Sequence, residues 1–323
     1  MKMQDLMLKF PHLPEKILQK LDCASLFKCR EVSRSLQNII DGRNYPWLRI
    51  VNIPTILQER NSYLHLAAET GQIEAFKTAF NQEADKNIKN SCGGTPFHLA
   101  CKNGRFKIVQ LLLKNNDPEI NYNAKDNSDG ITPFHCACQK GNLDVVKIFI
   151  ENAAALSIDL NVKSELGVTA LNLACFCGHL DVVKILLENA AILNIDLNAK
   201  DSVYAPFILA CHNADTDMVK IFMDNAEKFG IDLNAKSTSV NNYTGFHMAC
   251  LKGYTNVVNI FLENAANLSI DLNRKDINGH TAFHFAYGRG HCDVVKILEK
   301  NAAALRIDIQ KCKCKDCRIR PNK

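Results

Sequence analysis

Histidine and cysteine are the residues of this chain whose recurrence points to chemistry. Five histidines occupy one position of a recurring sequence pattern, namely His65, His98, His135, His247 and His284. A zinc ion needs each imidazole nitrogen within about 2.1 Å, whereas equivalent positions of stacked helices lie roughly 8–10 Å apart. We therefore expect these histidines to brace the starts of helices by hydrogen bonding and not to share a metal.

The chain contains 14 cysteines, enough for a disulfide framework in a secreted protein. Five of them follow an alanine at one position of the same pattern: Cys101, Cys138, Cys175, Cys211 and Cys250. Stacked copies would hold their Cα atoms roughly 8–10 Å apart, which is too far for a disulfide. We expect small core residues in a reducing compartment, cytoplasmic or nuclear.

Three further cysteines, Cys312, Cys314 and Cys317, lie in a basic tail at residues 310–323. Three thiolates among lysines and arginines can hold a metal, but a structural zinc site needs a fourth ligand. Cys292 is the nearest other cysteine, and nothing in the sequence shows that it reaches the tail. We expect a basic tail without metal, with a site at these three cysteines as the alternative, and we predict no cofactor.

The elements that carry these residues recur every 36 to 39 residues. Similar blocks begin at Thr95, Thr132, Thr169, Ala205, Thr244 and Thr281, and a degenerate copy begins at Ser62. A period of this size marks a repeat array in which each unit buries its apolar face against its neighbours. Such an array is first of all a binding surface.

One block shows why each unit should fold as two helices. Thr95 can cap a first helix, Pro96 suits its first position, and Gly104 stops it. A second helix follows, with an apolar face that begins at Ile108. In later blocks, alternating apolar residues before the turn at Gly167 predict an extended, hairpin-like connection.

This pattern of threonine cap, histidine, Ala-Cys, glycine and Asn-x-Lys turn resembles the ankyrin repeat family. The resemblance implies an all-α solenoid of about seven helix-turn-helix units with short hairpin loops over residues 61–309. The blocks exceed the family length of about 33 residues by roughly one helical turn, so we expect longer second helices. The blocks starting at Thr169 and Ala205 depart from the pattern at Asn172, Ile208 and Ala214, which predicts softer joints there.

Residues 1–60 do not fit the repeat and resemble an F-box, a small helical module. The resemblance implies docking to a Skp-type adaptor of a cullin ubiquitin ligase through the residues that match its pattern: Phe10, Pro11, Leu13, Pro14, Leu21, Leu26, Val32, Leu36 and Trp47. Both Phe10-Pro11 and Leu13-Pro14 remain candidates for the Leu-Pro pair of that pattern. The alternative is a helical cap that only shields the open end of the array.

The charge and hydropathy of the chain argue against nucleic acid and membranes as partners. A net charge of +5 with scattered lysines and arginines does not favour nucleic acid, and no stretch reaches the 18 apolar residues that span a bilayer. A lysine recurs at the turn of six units: Lys89, Lys125, Lys163, Lys200, Lys236 and Lys275. These lysines fit either a basic column or, as we favour, a preference of the turn.

Specificity should lie where the repeats differ, just before the turn glycines and at the loop tips. The predicted partner-binding residues are Gln139, Lys140, Leu166, Phe176, Tyr204, His212, Tyr243, Leu251 and Ile277. We expect four of them, Phe176, Tyr204, Tyr243 and Leu251, to cluster on one concave face. Such a cluster would matter for binding, because exposed aromatic anchors often dominate binding energy. The target is then a protein bound in the ankyrin groove.

No paired carboxylates, phosphate-binding loop or activated nucleophile is recognisable, so the chain is not expected to be an enzyme. The leading hypothesis is a protein-protein interaction adaptor, the substrate receptor of a Skp-cullin-F-box type ubiquitin ligase, acting as a monomer within that complex. The alternative hypothesis is an ankyrin scaffold or inhibitor protein with no link to ubiquitination.

Overall fold

The structure is a computed structural model that describes residues 62–82, 85–201, 204–238 and 241–310. The chain divides into two compact units, Met1–Pro133 and Phe134–Lys323. The residues predicted to bind an adaptor, from Phe10 to Trp47, and the tail cysteines Cys312, Cys314 and Cys317 lie outside the described residues.

The described part of the chain contains sixteen helices and no strand. In the first unit these are α1 (Tyr63–Thr70), α2 (Ile73–Gln82), α3 (Pro96–Lys102) and α4 (Phe106–Lys114). The second unit is built from α5 (Pro133–Lys140), α6 (Leu143–Asn152), α7 (Ala170–Phe176), α8 (Leu180–Glu188), α9 (Ala190–Leu193), α10 (Pro206–His212), α11 (Thr216–Asp224), α12 (Ala226–Phe229), α13 (Gly245–Lys252), α14 (Thr255–Asn264), α15 (Ala282–Arg289) and α16 (Cys292–Leu305).

Each repeat contributes a first and a second helix, and helices of the same kind pack on one another. In the second unit α7, α10, α13 and α15 pack in succession, as do α6, α8, α11, α14 and α16. The cysteines that follow alanine in the first helices are fully buried, as the sequence predicts, and their thiols are free. Two layers of helices therefore enclose one continuous apolar core within the unit.

The first helices α1, α3, α7, α13 and α15 each begin with a reciprocal pair of hydrogen bonds. The Thr95 hydroxyl accepts from the His98 backbone N–H, and the His98 ring Nδ1 accepts from the Thr95 backbone N–H at 3.1 Å. The opposite ring nitrogen, Nε2, lies 3.0 Å from the Ile131 carbonyl oxygen in the loop before the next repeat. The same Nε2 contact joins His65 to Gly94, His135 to Val168 and His247 to His280. The expected bracing role of these histidines is confirmed.

A second set of bonds between repeats comes from asparagines that the sequence analysis had assigned only to a turn. The Asn161 amide nitrogen donates to the Asn194 carbonyl at 2.7 Å, and its amide oxygen accepts from the Asp196 N–H at 2.8 Å. Asn198, Asn234 and Asn273 repeat this pair of bonds to the next loop, and Asn87 does so in the first unit. We call this set the asparagine ladder.

The prediction of longer second helices is wrong except in the last repeat, where α16 runs unbroken for 14 residues. In the repeats from Thr169 and Ala205, the chain leaves helical geometry at Asn189 (φ −99°, ψ 1°) and Asn225 (φ −106°, ψ 3°) and forms the separate short helices α9 and α12. Asn301 occupies the equivalent position of the unbroken α16 and donates to the Ile297 carbonyl as Asn189 does to the Ile185 carbonyl, so the asparagine alone does not account for the break. The connections between repeats are closed by backbone bonds within the turn, such as Ser164 N–H to the Val168 carbonyl at 2.9 Å and Gly167 N–H to the Ser164 carbonyl at 3.0 Å.

The softer joint predicted at Thr169 is not supported, because Asn172 replaces histidine without loss of the capping bonds. Its amide oxygen accepts from the Thr169 N–H at 3.0 Å, and its amide nitrogen donates to the Ala199 carbonyl at 3.2 Å. The repeat at Ala205 does lack a side-chain cap. Its turn residue Ala214 also adopts φ 58°, a conformation that neighbouring repeats give to glycine.

Replacing Ala214 by glycine should stabilise the protein by about 1 kcal/mol, because a left-handed alanine costs roughly 1–2 kcal/mol and glycine loses part of that gain to backbone entropy. Gly178→Ala is the matched control: Gly178 has φ 75°, and an added Cβ there meets nothing within 4 Å. It should destabilise by a similar amount. Urea unfolding of both variants checks this, and equal stability of Ala214→Gly and the parent would contradict it.

Acid should weaken the array through its buried histidines. Burial lowers the pKa of His65 from 6.5 to about 4, so this ring is neutral in the folded state and takes up a proton on unfolding below pH 6.5. Stability from this group is fully present above pH 6.5 and falls as the pH drops toward 4, by about 1.4 kcal/mol per pH unit for one full proton.

The comparison is between the parent and His65→Asn, which keeps the capping bonds as Asn172 does. Urea unfolding at pH 7 and pH 5 should show a smaller loss of stability on acidification for the variant. An identical loss in both proteins would show that His65 is not responsible.

Candidate functional site

The predicted partner-binding residues differ in exposure. Phe176, Leu166 and Ile277 are 60%, 59% and 53% exposed, and Lys140 is exposed as well. The remaining five are partly buried, namely Gln139, Tyr204, His212, Tyr243 and Leu251. All nine lie in the second unit, in its first helices, in the turns that follow them or in the loops that precede them.

Three of these residues meet over one apolar cluster. Ala205, Ile208, Ala235 and Met248 are buried together, and Tyr204, Tyr243 and Leu251 pack against them. The cluster exists because Ala205 and Ile208 stand where other repeats carry the polar threonine and histidine of the capping pair.

Aromatic rings extend this surface in both directions. The Tyr204 ring lies 6.0 Å from the His212 ring, and the Tyr243 ring meets Phe285 edge-on at 5.0 Å. We call Tyr204, His212, Tyr243, Leu251 and Phe285 the aromatic patch. Sequence reasoning missed Phe285, although an aromatic residue at that position, where the other repeats of the unit have Cys136, Leu173, Leu209 and Met248, was the signal.

Phe176 does not join the apolar cluster, which corrects the expectation that four residues meet there. Its backbone carbonyl accepts a hydrogen bond from the Asn213 amide at 2.7 Å, while its side chain remains exposed at the end of α7. The loop residues Leu166 and Ile277 are likewise outside the cluster.

Two charged residues affect the phenol pKa of Tyr243. Its phenol pKa is raised by burial, then by the Asp276 carboxylate, whereas Arg289 opposes the shift. The Asp276 carboxylate is itself buried and accepts from the backbone N–H groups of His280 at 2.7 Å and Asn278 at 2.9 Å. The Tyr243 hydroxyl is therefore neutral at physiological pH.

The recurring lysines also bond to the neighbouring repeat. The Lys89 ammonium donates to the Lys125 carbonyl at 2.9 Å, and the Lys236 ammonium donates to the Lys275 carbonyl at 3.3 Å. These bonds support the turn interpretation at both positions.

The buried cysteines are unsuited to nucleophilic chemistry. Burial raises the thiol pKa of Cys138, Cys211 and Cys250 far above the usual range, so these thiols stay protonated. Within the described ranges, no group of three or more His, Cys, Asp or Glu residues is arranged to hold a metal ion. No helix in those ranges has the length and apolarity needed to cross a membrane.

Comparison with known families gives the class of the protein. A model described as ankyrin repeats (3 copies) matches residues 64–158, 119–201 and 207–310, well over half of the chain. The chain therefore belongs to the ankyrin repeat family. An F-box domain matches residues 12–48, upstream of the repeats. Members of these families are typically non-enzymatic adaptors.

Solved structures show the same fold. The ankyrin repeat domain of Bcl-3, a member of the IkappaB protein family, aligns with a TM-score of 0.59 and 26% identity over 74% of this chain and 98% of that one. The ankyrin repeat domain of human ASB11 aligns with a TM-score of 0.58 and 22% identity over 74% of this chain and 97% of that one.

Relatives identified by sequence match shorter segments. A protein of Oryza sativa subsp. japonica, named probable E3 ubiquitin-protein ligase XBOS33, is 40% identical over 53 residues, 16% of this chain and 10% of that protein. The human transient receptor potential cation channel subfamily A member 1 is 35% identical over 91 residues, 27% of this chain and 8% of that protein. The chain thus spans a tenth or less of the length of either relative.

The different exposures of Phe176 and Leu251 predict different costs of truncation. Phe176→Ala should change the free energy of unfolding by less than about 0.5 kcal/mol, whereas Leu251→Ala should cost about 1 kcal/mol because its side chain covers the apolar cluster. Urea unfolding of the two single variants measures this difference. Equal destabilisation by both variants would contradict the packing described for Leu251.

Proposed function

We propose that this protein is the substrate receptor of a Skp-cullin-F-box type ubiquitin ligase. The observation that carries the proposal is the presence in one chain of an F-box match at residues 12–48 and ankyrin repeats from residue 64 to residue 310. An F-box brings its chain to a ligase, and a repeat array supplies a surface for a target. The two modules together account for a receptor that needs no catalytic residues.

In this proposal the chain has three parts with different roles. Residues 1–60 bind the Skp-type adaptor through Phe10, Pro11, Leu13, Pro14, Leu21, Leu26, Val32, Leu36 and Trp47. Residues 61–309 hold the target protein, and residues 310–323 form a basic tail. The cullin and its partners perform the transfer of ubiquitin.

The repeat array contributes a target surface because its repeated residues are already committed to structure. Histidine ring nitrogens and asparagine amides bond to the neighbouring repeat, as His247 does to the His280 carbonyl and Asn234 to the Ser269 carbonyl. The residues left to vary, including the aromatic patch, are those that can select a target. Partly buried aromatic side chains suit this role because they supply contact area at a low entropic cost.

Capture of a purified Skp-type adaptor by the full-length protein tests the proposal. The parent should retain the adaptor, and Leu26→Glu combined with Val32→Glu should abolish retention, because two charges would be placed in the apolar contact. Phe176→Ala, which changes an exposed residue of the array, is the control and should bind as the parent does.

Unfolding curves recorded on the same samples show whether the array remains intact in each variant. If the parent retains no adaptor, or if the double variant retains as much as the parent, the receptor proposal fails.

A further inference from the structure

The last residues of the first helices form a distinctive row in the second unit. They are Lys140, Phe176, His212, Lys252 and Arg289, and all but the partly buried His212 are exposed. We call them the helix-end row. It places one basic or aromatic side chain on each repeat.

Positive charge in this row is not balanced within the first helices. The helices α5, α7, α10, α13 and α15 contain no aspartate or glutamate, whereas each of the second helices α6, α8, α11, α14 and α16 contains at least one. The first helices of the unit therefore supply no carboxylate to balance Lys140, Lys252 and Arg289 at their ends.

The row adjoins the aromatic patch. His212 belongs to both and lies 6.0 Å from the Tyr204 ring, and Lys252 directly follows Leu251. Arg289 ends α15, the helix that carries Phe285, whose ring meets the Tyr243 ring at 5.0 Å. Apolar and basic side chains thus alternate over three successive repeats.

Two carboxylates in the loops before α10 and α15 are held by backbone bonds. Asp276 accepts from backbone N–H groups as described above, and Asp201 accepts from the Tyr204 backbone N–H. Both carboxylates are thus bonded to the backbone of their own loops.

We propose that the aromatic patch and the helix-end row bind an acidic peptide segment that carries aromatic or aliphatic residues between its carboxylates. The inference rests on the proposed function, since it names the kind of target that the array selects. The apolar side chains of the segment pack on Tyr204, Tyr243 and Leu251, and its carboxylates pair with Lys252 and Arg289. Such charge complementarity sets specificity and the rate of association.

A peptide fits this surface better than a nucleic acid does. Successive first helices are roughly 8–10 Å apart, so cations at their ends are too few and too widely spaced to follow a phosphate backbone, which gains affinity from many contacts. The leucine and tyrosines between the cations suit aliphatic and aromatic side chains. Binding of nucleic acid in place of peptide is therefore one of the outcomes that the experiment must separate.

Panning of a displayed library of random 16-residue peptides on the full-length protein tests the inference. Recovered peptides should be enriched in Asp and Glu together with Leu, Phe, Tyr or Trp. Their affinity should fall at least about tenfold for the Lys252→Glu, Arg289→Glu double variant and should decrease with added salt.

The matched control carries the same change of charge on exposed second-helix residues, Lys184→Glu with Lys220→Glu, and should bind as the parent does. Urea unfolding of both double variants verifies that each is folded. Four outcomes would overturn the inference: recovery of no peptide, recovery of peptides without acidic enrichment, equal effects of the two double variants, or displacement of the peptides by a 20-nucleotide single strand at equal concentration.

Adaptor capture is measured separately on the same proteins, which distinguishes the two proposals. Peptide binding without adaptor capture would leave the acidic-segment inference in place and remove the receptor proposal. Adaptor capture without acidic peptides would do the reverse.

Discussion

Hydrogen bonds from each repeat to the next are the interaction on which the rest of the structure depends. A helix pair of this size cannot bury its apolar residues alone, so its neighbours complete its core. Apolar packing alone tolerates sliding, whereas the His98 ring and the Asn161 amide each bond to defined backbone atoms of the following loop. These directional bonds fix the register at which the buried faces meet.

The aromatic patch arises where this scheme is interrupted. At Ala205 and Ile208 the capping pair is absent, and an apolar cluster takes its place. The repeat lacks a helix cap but has a buried apolar cluster against which the partly buried Tyr204 and Tyr243 pack. The substitutions that remove the capping pair from the sequence pattern thus create the apolar cluster that supports the aromatic patch.

The sequence predicted the helices that begin at Thr95 and Thr244, the bracing histidines and the buried cysteines, because each follows from local hydrogen bonding or from a strict period. It did not predict the asparagine ladder, because an asparagine that only favours a turn and an asparagine that bonds to the next repeat produce the same recurring Asn-x-Lys pattern. It placed Phe176 with the tyrosines because spacing along the chain does not show which side chains share a cluster. The breaks at Asn189 and Asn225 were missed because composition rich in alanine and leucine favours a continuous helix.

The asparagine ladder has a consequence for how such a chain can change in length. Each asparagine of the ladder offers one donor and one acceptor to the following loop, and the backbone of that loop supplies the matching acceptor and donor, as the Gly230 carbonyl and the Asp232 N–H do for Asn198. Duplicating or deleting one whole repeat would therefore leave every ladder asparagine with a matching loop. An insertion or deletion of a few residues would instead move the loop atoms away from the asparagine that bonds to them. The hydrogen bonds between repeats thus allow the array to change in length by whole repeats.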